Sequence, residues 1–172
     1  RRFDWLANAL CRVAKFESVL DAGCGLGALS REFIKRGIHT TSIDVASVAL
    51  AALSVEQPHP LAVRASLEAI PFRTGAVEAV VCCDVLEHIP VFDIADAVRE
   101  LVRVSRRWLL LTINTRHVYR YHPTILSRDS WTALFLATGA VVERREEAAE
   151  LHQLAVHCYP EYEFFVFGKQ TL

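Results

Sequence analysis

Between Val19 and Ser30 an apolar strand carrying Asp21 runs into glycines at positions 23, 25 and 27 and then into a helix start. Strand, glycine turn and helix in that order form the opening unit of a wound α/β sheet. Glycine accepts positive φ and lets a ligand reach main-chain N–H groups that a β-carbon would shield. The helix behind the turn adds unpaired donors and the positive end of its dipole. The turn therefore reads as a cofactor site, and two ligand classes fit it. As Gly23-x-Gly25-x-x-Ala28, with Asp44 about twenty residues on to hold ribose hydroxyls, it meets the loose dinucleotide fingerprint. As Asp21-x-Gly23-x-Gly25-x-Gly27, it sets a carboxylate at the strand end, which attracts an ammonium and repels a pyrophosphate. The second pattern accounts for one more residue.

Strands and helices alternate along the rest of the chain. Phe3, Trp5, Leu6, Ala9, Leu10, Val13 and Ala14 recur at helical spacing, so the opening segment is predicted as an amphipathic helix. Strands are predicted at 18–22, 40–43, 61–64, 79–83, 108–113, 141–145 and 163–168. Helices are predicted at 29–36, stopped by Gly37; at 46–55, with Ser47 as a cap and Gln57-Pro58-His59-Pro60 as a break; at 92–104; and at 127–138, from Ser127 to Gly139. This order implies a doubly wound α/β fold, a mostly parallel sheet with helices on both faces. The 172 residues suit a single domain over 1–172.

Composition narrows the class further. A hydrophobic content of 52% without low-complexity tracts indicates a packed core. No apolar run is long enough to span a membrane and no leader opens the chain, so a cytoplasmic protein is expected. A net charge of −1 supplies no global field for phosphate backbones, which argues against nucleic acid as a partner. The five cysteines, Cys11, Cys24, Cys82, Cys83 and Cys158, lack any Cys-x-x-Cys pair and read as reduced thiols. Methionine is absent, even at position 1, so the natural start is expected to be missing.

Two further stretches carry a family likeness. Residues 66–72 (Ser-Leu-Glu-Ala-Ile-Pro-Phe) and 80–89 (Val-Val-Cys-Cys-Asp-Val-Leu-Glu-His-Ile) follow the glycine turn at usual spacing. Together these motifs resemble those of class I S-adenosylmethionine-dependent methyltransferases, in the small-molecule, type 11 branch that reads "LDxGCGxG", "LPF" and "DVLEHI". The resemblance runs from Val19 to Leu110 and weakens beyond. It implies a seven-stranded sheet with its last strand antiparallel, S-adenosylmethionine as cofactor, and a small-molecule acceptor methylated at oxygen. It also implies that Asp21 and the backbone of Gly23, Cys24 and Gly25 hold the methionine part, and that Asp44, with Val45 beside it, takes the ribose. Ser66, where many relatives carry an acid, and Leu67 would border the adenine. Asp84 ends the fourth strand, where the methyl group is delivered.

His88 follows Asp84 and has the resting pKa of a general base for a hydroxyl acceptor. Its alternative is a loop brace. Asp84-x-x-Glu87-His88 is also a set of metal-ligand types similar to the Glu-x-x-Glu-His of small-RNA 2′-O-methyltransferases, with His117 or His122 as the further histidine; the base and brace readings are preferred and no metal is expected. Arg116, Tyr119, Arg120, Tyr121 and His122 lie after the fifth strand, where an anionic or sugar-like acceptor would be gripped and stacked. Arg99, Arg103, Arg106 and Arg107 fall at solvent-facing spacing and read as a solvated face. His152 and His157 carry no partner pattern. Three rivals stand beside the small-molecule reading: a metal-dependent RNA 2′-O-methyltransferase, a nicotinamide-dependent oxidoreductase on the same loop, and a cofactor-binding module without turnover.

Overall fold

The computed structural model describes residues 2–53, 61–116, 121–157 and 160–170. Its centre is a seven-stranded sheet formed by β1 (Ser18–Ala22), β2 (His39–Asp44), β3 (Leu61–Arg64), β4 (Val77–Cys83), β5 (Ser105–Asn114), β6 (Val141–Glu143) and β7 (Tyr162–Lys169). The strand order is β3-β2-β1-β4-β5-β7-β6. β1 pairs in parallel with β2 and β4, whereas β7 runs antiparallel to β5 and β6. From β1 the chain winds outward through β2 and β3, then returns to lay β4 on the other side of β1. The winding therefore reverses between β1 and β4, and a crevice opens beyond their carboxyl ends.

Alternation along the central strands sends side chains to two cores. Leu20, Val80, Cys82, Leu109 and Leu111 join Val98 and Leu101 of α4 (Ile94–Val104) and Trp131 and Phe135 of α5 (Arg128–Leu136) on one face. Val19, Val81 and Leu110 meet Leu6 and Leu10 of α1 (Arg2–Val13), Phe33 of α2 (Ala28–Lys35) and Leu151 of α6 (Arg145–Ala155) on the other. Burial on both faces explains why β1, β4 and β5 read as near-continuous apolar runs. It also separates Cys82 from Cys83; Cys11, Cys24, Cys82 and Cys83 are all free thiols.

Several expectations need correction. The strand predicted at 141–145 stops at Glu143, because Arg145 opens α6, a helix the sequence reading missed. β5 begins at Ser105, three residues early, so Arg106 and Arg107 lie on a strand. α3 spans Ser47–Leu53, which puts Ser47 inside the helix and not at its cap. The break at 57–60 lies outside the described residues. Ser127 does cap α5, accepting from the Ser130 N–H at 3.1 Å. Arg103 is not part of a solvated face. Its guanidinium donates to the carbonyls of Ile70 and Phe72 at 2.9 and 2.7 Å and to Glu100, whose carboxylate accepts from the Ile70 N–H at 2.8 Å. This pair pins the Ile70-Pro71-Phe72 loop to α4. His152 and His157 make edge contacts with Phe164 and Trp5.

Candidate functional site

The site is built at the carboxyl ends of β1, β2 and β4. Gly23 and Gly25 take φ of 80° and 52°, values a β-carbon disfavours. The N–H groups of Gly23 and Cys24 donate to the Ile43 carbonyl at 2.8 and 3.0 Å, which anchors the turn to β2. A β-carbon at Gly23 would stand 2.5 Å from a Val85 methyl, so the loop after β4 packs directly on the glycine turn. One at Gly25 would meet nothing within 4 Å, and Gly25 lines a cavity of about 320 Å³ with Asp21, Gly23, Leu26, Cys83 and Asp84. The first residues of α1, Arg2 and Phe3, close the same cavity.

Asp21 is 3% exposed. Ser30 Oγ donates to its carboxylate and lies 2.8 Å from Ser42 Oγ, so α2 and β2 hold the acid in place. Burial pushes its carboxyl up to about 6, against the opposing pull of the Ser30 hydrogen bonds, with Asp44 adding repulsion. Burial, reinforced by the same two acids, pushes the Cys24 thiol up to about 12. An inert thiol beside a charge-poised acid fits a cation-accepting pocket.

Asp44 does two things at the end of β2. Its Oδ2 accepts from the Gly25 N–H at 2.9 Å and its Oδ1 from the Ala46 N–H at 2.8 Å, tying the glycine turn to the start of α3. It also lines a second cavity, of about 280 Å³, with Val45, Ser66, Leu67, Val85 and His88. Glu68 lines that cavity too, two residues after the serine found where an acid was expected. Gly23 borders both cavities, which lie on either side of the glycine turn at the switch point.

Asp84 is the one non-glycine residue at positive φ, 61°, among those described. Tyr162 Oη donates to its carboxylate. His88 Nδ1 lies 2.8 Å from the Tyr121 carbonyl, which only accepts, so Nδ1 donates to it. His88 Nε2 stands 4.0 Å from Asp84 Oδ1, and the His88 and His122 rings meet edge to face at 4.5 Å. Glu87 departs from the cluster. It is fully buried, with Oε1 accepting from the Asn114 N–H at 2.9 Å and its carboxyl raised by burial to about 7.

Of the residues expected at the acceptor, the structure brings His122 beside His88 and leaves Tyr121 71% exposed next to them. Arg116 instead pairs with Glu163 at 3.2 Å and lines a neighbouring cavity of about 580 Å³ with Arg128, Glu143 and Arg145. His117, Tyr119 and Arg120 lie outside the described residues. Sequence reasoning missed Tyr162, Arg2 and Glu68. Tyr162 reaches Asp84 only because β7 pairs antiparallel with β5, setting Asn114 opposite Tyr162.

Comparison with known proteins bears on this geometry. Residues 20–108 match the family model described as a methyltransferase domain. A ubiquinone biosynthesis O-methyltransferase of Albidiferax ferrireducens is 38% identical over 104 residues, covering 57% of this chain and 40% of that protein. A malonyl-(acyl-carrier protein) O-methyltransferase of Enterobacter lignolyticus is 35% identical over 136 residues, covering 76% and 47%. The chain thus spans less than half the length of these two relatives. Among solved structures, a TehB-like SAM-dependent methyltransferase from Corynebacterium glutamicum superposes with a TM-score of 0.76 at 14% identity, covering 96% of this chain and 88% of that one. The magnesium protoporphyrin IX methyltransferase of Synechocystis PCC 6803, crystallised with SAM, gives 0.68 at 17% identity, covering 98% and 76%. At these identities the structural likeness concerns the fold. Among the described residues, no helix is long and apolar enough to cross a membrane.

Proposed function

The chain belongs to the class I S-adenosylmethionine-dependent methyltransferase family, and from that premise we propose that it transfers a methyl group from S-adenosylmethionine to an oxygen of a small-molecule acceptor. The observation that carries this reading is the buried Asp21 at the wall of the glycine-turn cavity, with open space over Gly25. A nicotinamide dinucleotide would bring a pyrophosphate toward that acid, whereas an amino-acid ammonium is attracted to it. Oxygen as the target is supported by the two relatives named as O-methyltransferases.

In this reading Asp21 and the backbone of Gly23, Cys24 and Gly25 hold the amino-acid end of the cofactor, with Arg2 offering a cation to its carboxylate. Asp44 accepts from the ribose, Val45 and Leu67 flank the adenine, and Ser66 or Glu68 accepts from its amino group. Asp84 lines the glycine-turn cavity on the side of His88. Bound S-adenosylmethionine supplies a methyl carbon on a positively charged sulfur. The protein's task is then to align an acceptor oxygen with that carbon and to keep water out. His88 is the residue that acts at the acceptor, because its Nε2 faces the side of Asp84 and His122. Tyr121 and His122 form the acceptor side.

Calorimetry and methyl-label transfer test this reading together. S-adenosylhomocysteine should bind and NADH should not, and label from methyl-tritiated S-adenosylmethionine should pass to phenolic or carboxylic small molecules but not to RNA. Binding of NADH alone would overturn the cofactor assignment. Label found only in RNA would overturn the acceptor class.

The titration of Asp21 gives a second expected result. The cofactor's ammonium needs the carboxylate, and the free protein's carboxyl is protonated below about 6. Affinity for S-adenosylhomocysteine should therefore hold above pH 7 and fall roughly tenfold per pH unit well below 6. Without ligand the same acid acts in the opposite sense. Its folded-state pKa exceeds the ordinary 3.8, so its contribution to stability is full below that value and is lost as pH rises through about 6. Asp21→Asn should bind weakly at every pH with a flat profile; a wild-type profile in that variant would take Asp21 out of the site.

A further inference from the structure

Near its start β5 carries two arginines side by side, Arg106 and Arg107, and both are exposed. On a regular strand neighbours point to opposite faces, but Val77 pairs with Ser105 and Ala79 with Trp108, so β5 takes three steps where β4 takes two. The extra residue makes a bulge. Both arginines then line one cavity of about 390 Å³, together with Trp108, Arg144, Lys169 and Gln170.

The charge of this cavity is one-sided. Arg106, Arg107, Arg144 and Lys169 supply four cations, and no acid lines it among the described residues. Glu78 pairs with Arg106 at 2.8 Å and also attracts Arg107. Lys169 Nζ donates only to the Val102 carbonyl, at 3.0 Å, and burial, with no acid to oppose it, pulls its ammonium below the usual value. Arg144 Nε lies where only glycine leaves room, because a β-carbon on Gly168 would stand 2.7 Å from it. The cavity of Arg116, Arg128 and Arg145 differs. There Glu143 and Glu163 alternate with the arginines at 2.9 to 3.2 Å, so its charges are already met within the protein.

We infer that this cavity binds a phosphate-class anion, free or carried on a small molecule, with Arg107, Arg144 and Lys169 as its main partners. Guanidinium forks match the paired oxygens of a phosphoryl group, and several positive charges favour a dianion over a lone carboxylate. The volume suits a small ligand, whose pockets begin at about 300 Å³. The site is separate from methyl transfer. β4 and β5 are parallel, so the amino end of β5 lies at the opposite edge of the sheet from the glycine turn, roughly 25 Å away along a strand that rises about 3.3 Å per residue. An anion seated there bridges β5 to β7 and to the start of α6, which stabilises the fold and leaves the cofactor cleft open.

Pyrophosphate is the probe, titrated calorimetrically into the full chain with sodium chloride matched for ionic strength. Saturation at one anion per chain is expected, with a higher melting temperature and a change in tryptophan emission that Trp108→Phe removes. Arg107→Gln and, separately, Arg144→Gln should weaken pyrophosphate by about 10- to 100-fold, the range for one lost charge-assisted hydrogen bond, with S-adenosylhomocysteine affinity unchanged. Orthophosphate and adenosine diphosphate run alongside separate the sources: tighter orthophosphate supports a free ion, tighter diphosphate a phosphorylated molecule. No saturation at matched ionic strength, or equal affinity in the wild type and both variants, overturns the site. Competition between pyrophosphate and S-adenosylhomocysteine overturns it too, since the anion would then lie in the cofactor cleft. Binding of single-stranded RNA without binding of pyrophosphate overturns the small-anion assignment.

Discussion

Gly25→Val is expected to abolish S-adenosylhomocysteine binding in calorimetry while far-UV circular dichroism stays unchanged. The space over Gly25 is open to the cavity, so the new methyls displace ligand and not protein. The backbone at φ 52° resists a branched side chain, and that strain should cost about 1–3 kcal/mol of stability, visible as a lower melting temperature. Gly23→Val provides the contrast. There the added atoms collide with Val85, so unfolding should accompany the loss of binding. Retained affinity in a folded Gly25→Val protein would move the cofactor off this turn.

Asp44→Ala is expected to weaken S-adenosylhomocysteine by about 2–4 kcal/mol, the range for losing charge-assisted hydrogen bonds to two hydroxyls. The structure adds a second effect. The same carboxylate holds the Gly25 and Ala46 N–H groups, so the variant should also lose about 0.5–2 kcal/mol of stability, as when a helix cap is removed. Measuring affinity and melting together separates the two. Unchanged affinity in a destabilised variant would leave Asp44 a purely structural residue.

What could be read from the chain follows the range of the interactions involved. The glycine turn, the acids at the ends of β1, β2 and β4, and the α5 cap are set by residues adjacent in sequence, so pattern revealed them. Arg103 was misjudged because helical spacing reports which face a residue occupies, not that Ile70 and Phe72 return to offer it carbonyls. α6 escaped because its polar Arg-Glu-Glu start follows a three-residue strand with no cap or glycine between. Tyr162 reaches Asp84 through pairing across a long stretch of chain, for which a single sequence has no local signal, whereas His122 beside His88 was one of the two histidines the motif likeness offered. Glu87 looked equivalent to Asp84 in the motif, but the 3-10 turn at Leu86–His88 points it into the core.

The left-handed Asp84 also bears on how such a chain responds to selection. Asparagine or glycine at that position would occupy the same backbone basin with less penalty, by an amount on the order of 1 kcal/mol for glycine. A population screened only for heat resistance would therefore drift away from aspartate here and discard the carboxylate that Tyr162 anchors. The most heat-resistant descendants of this chain and the most competent ones would part company first at residue 84.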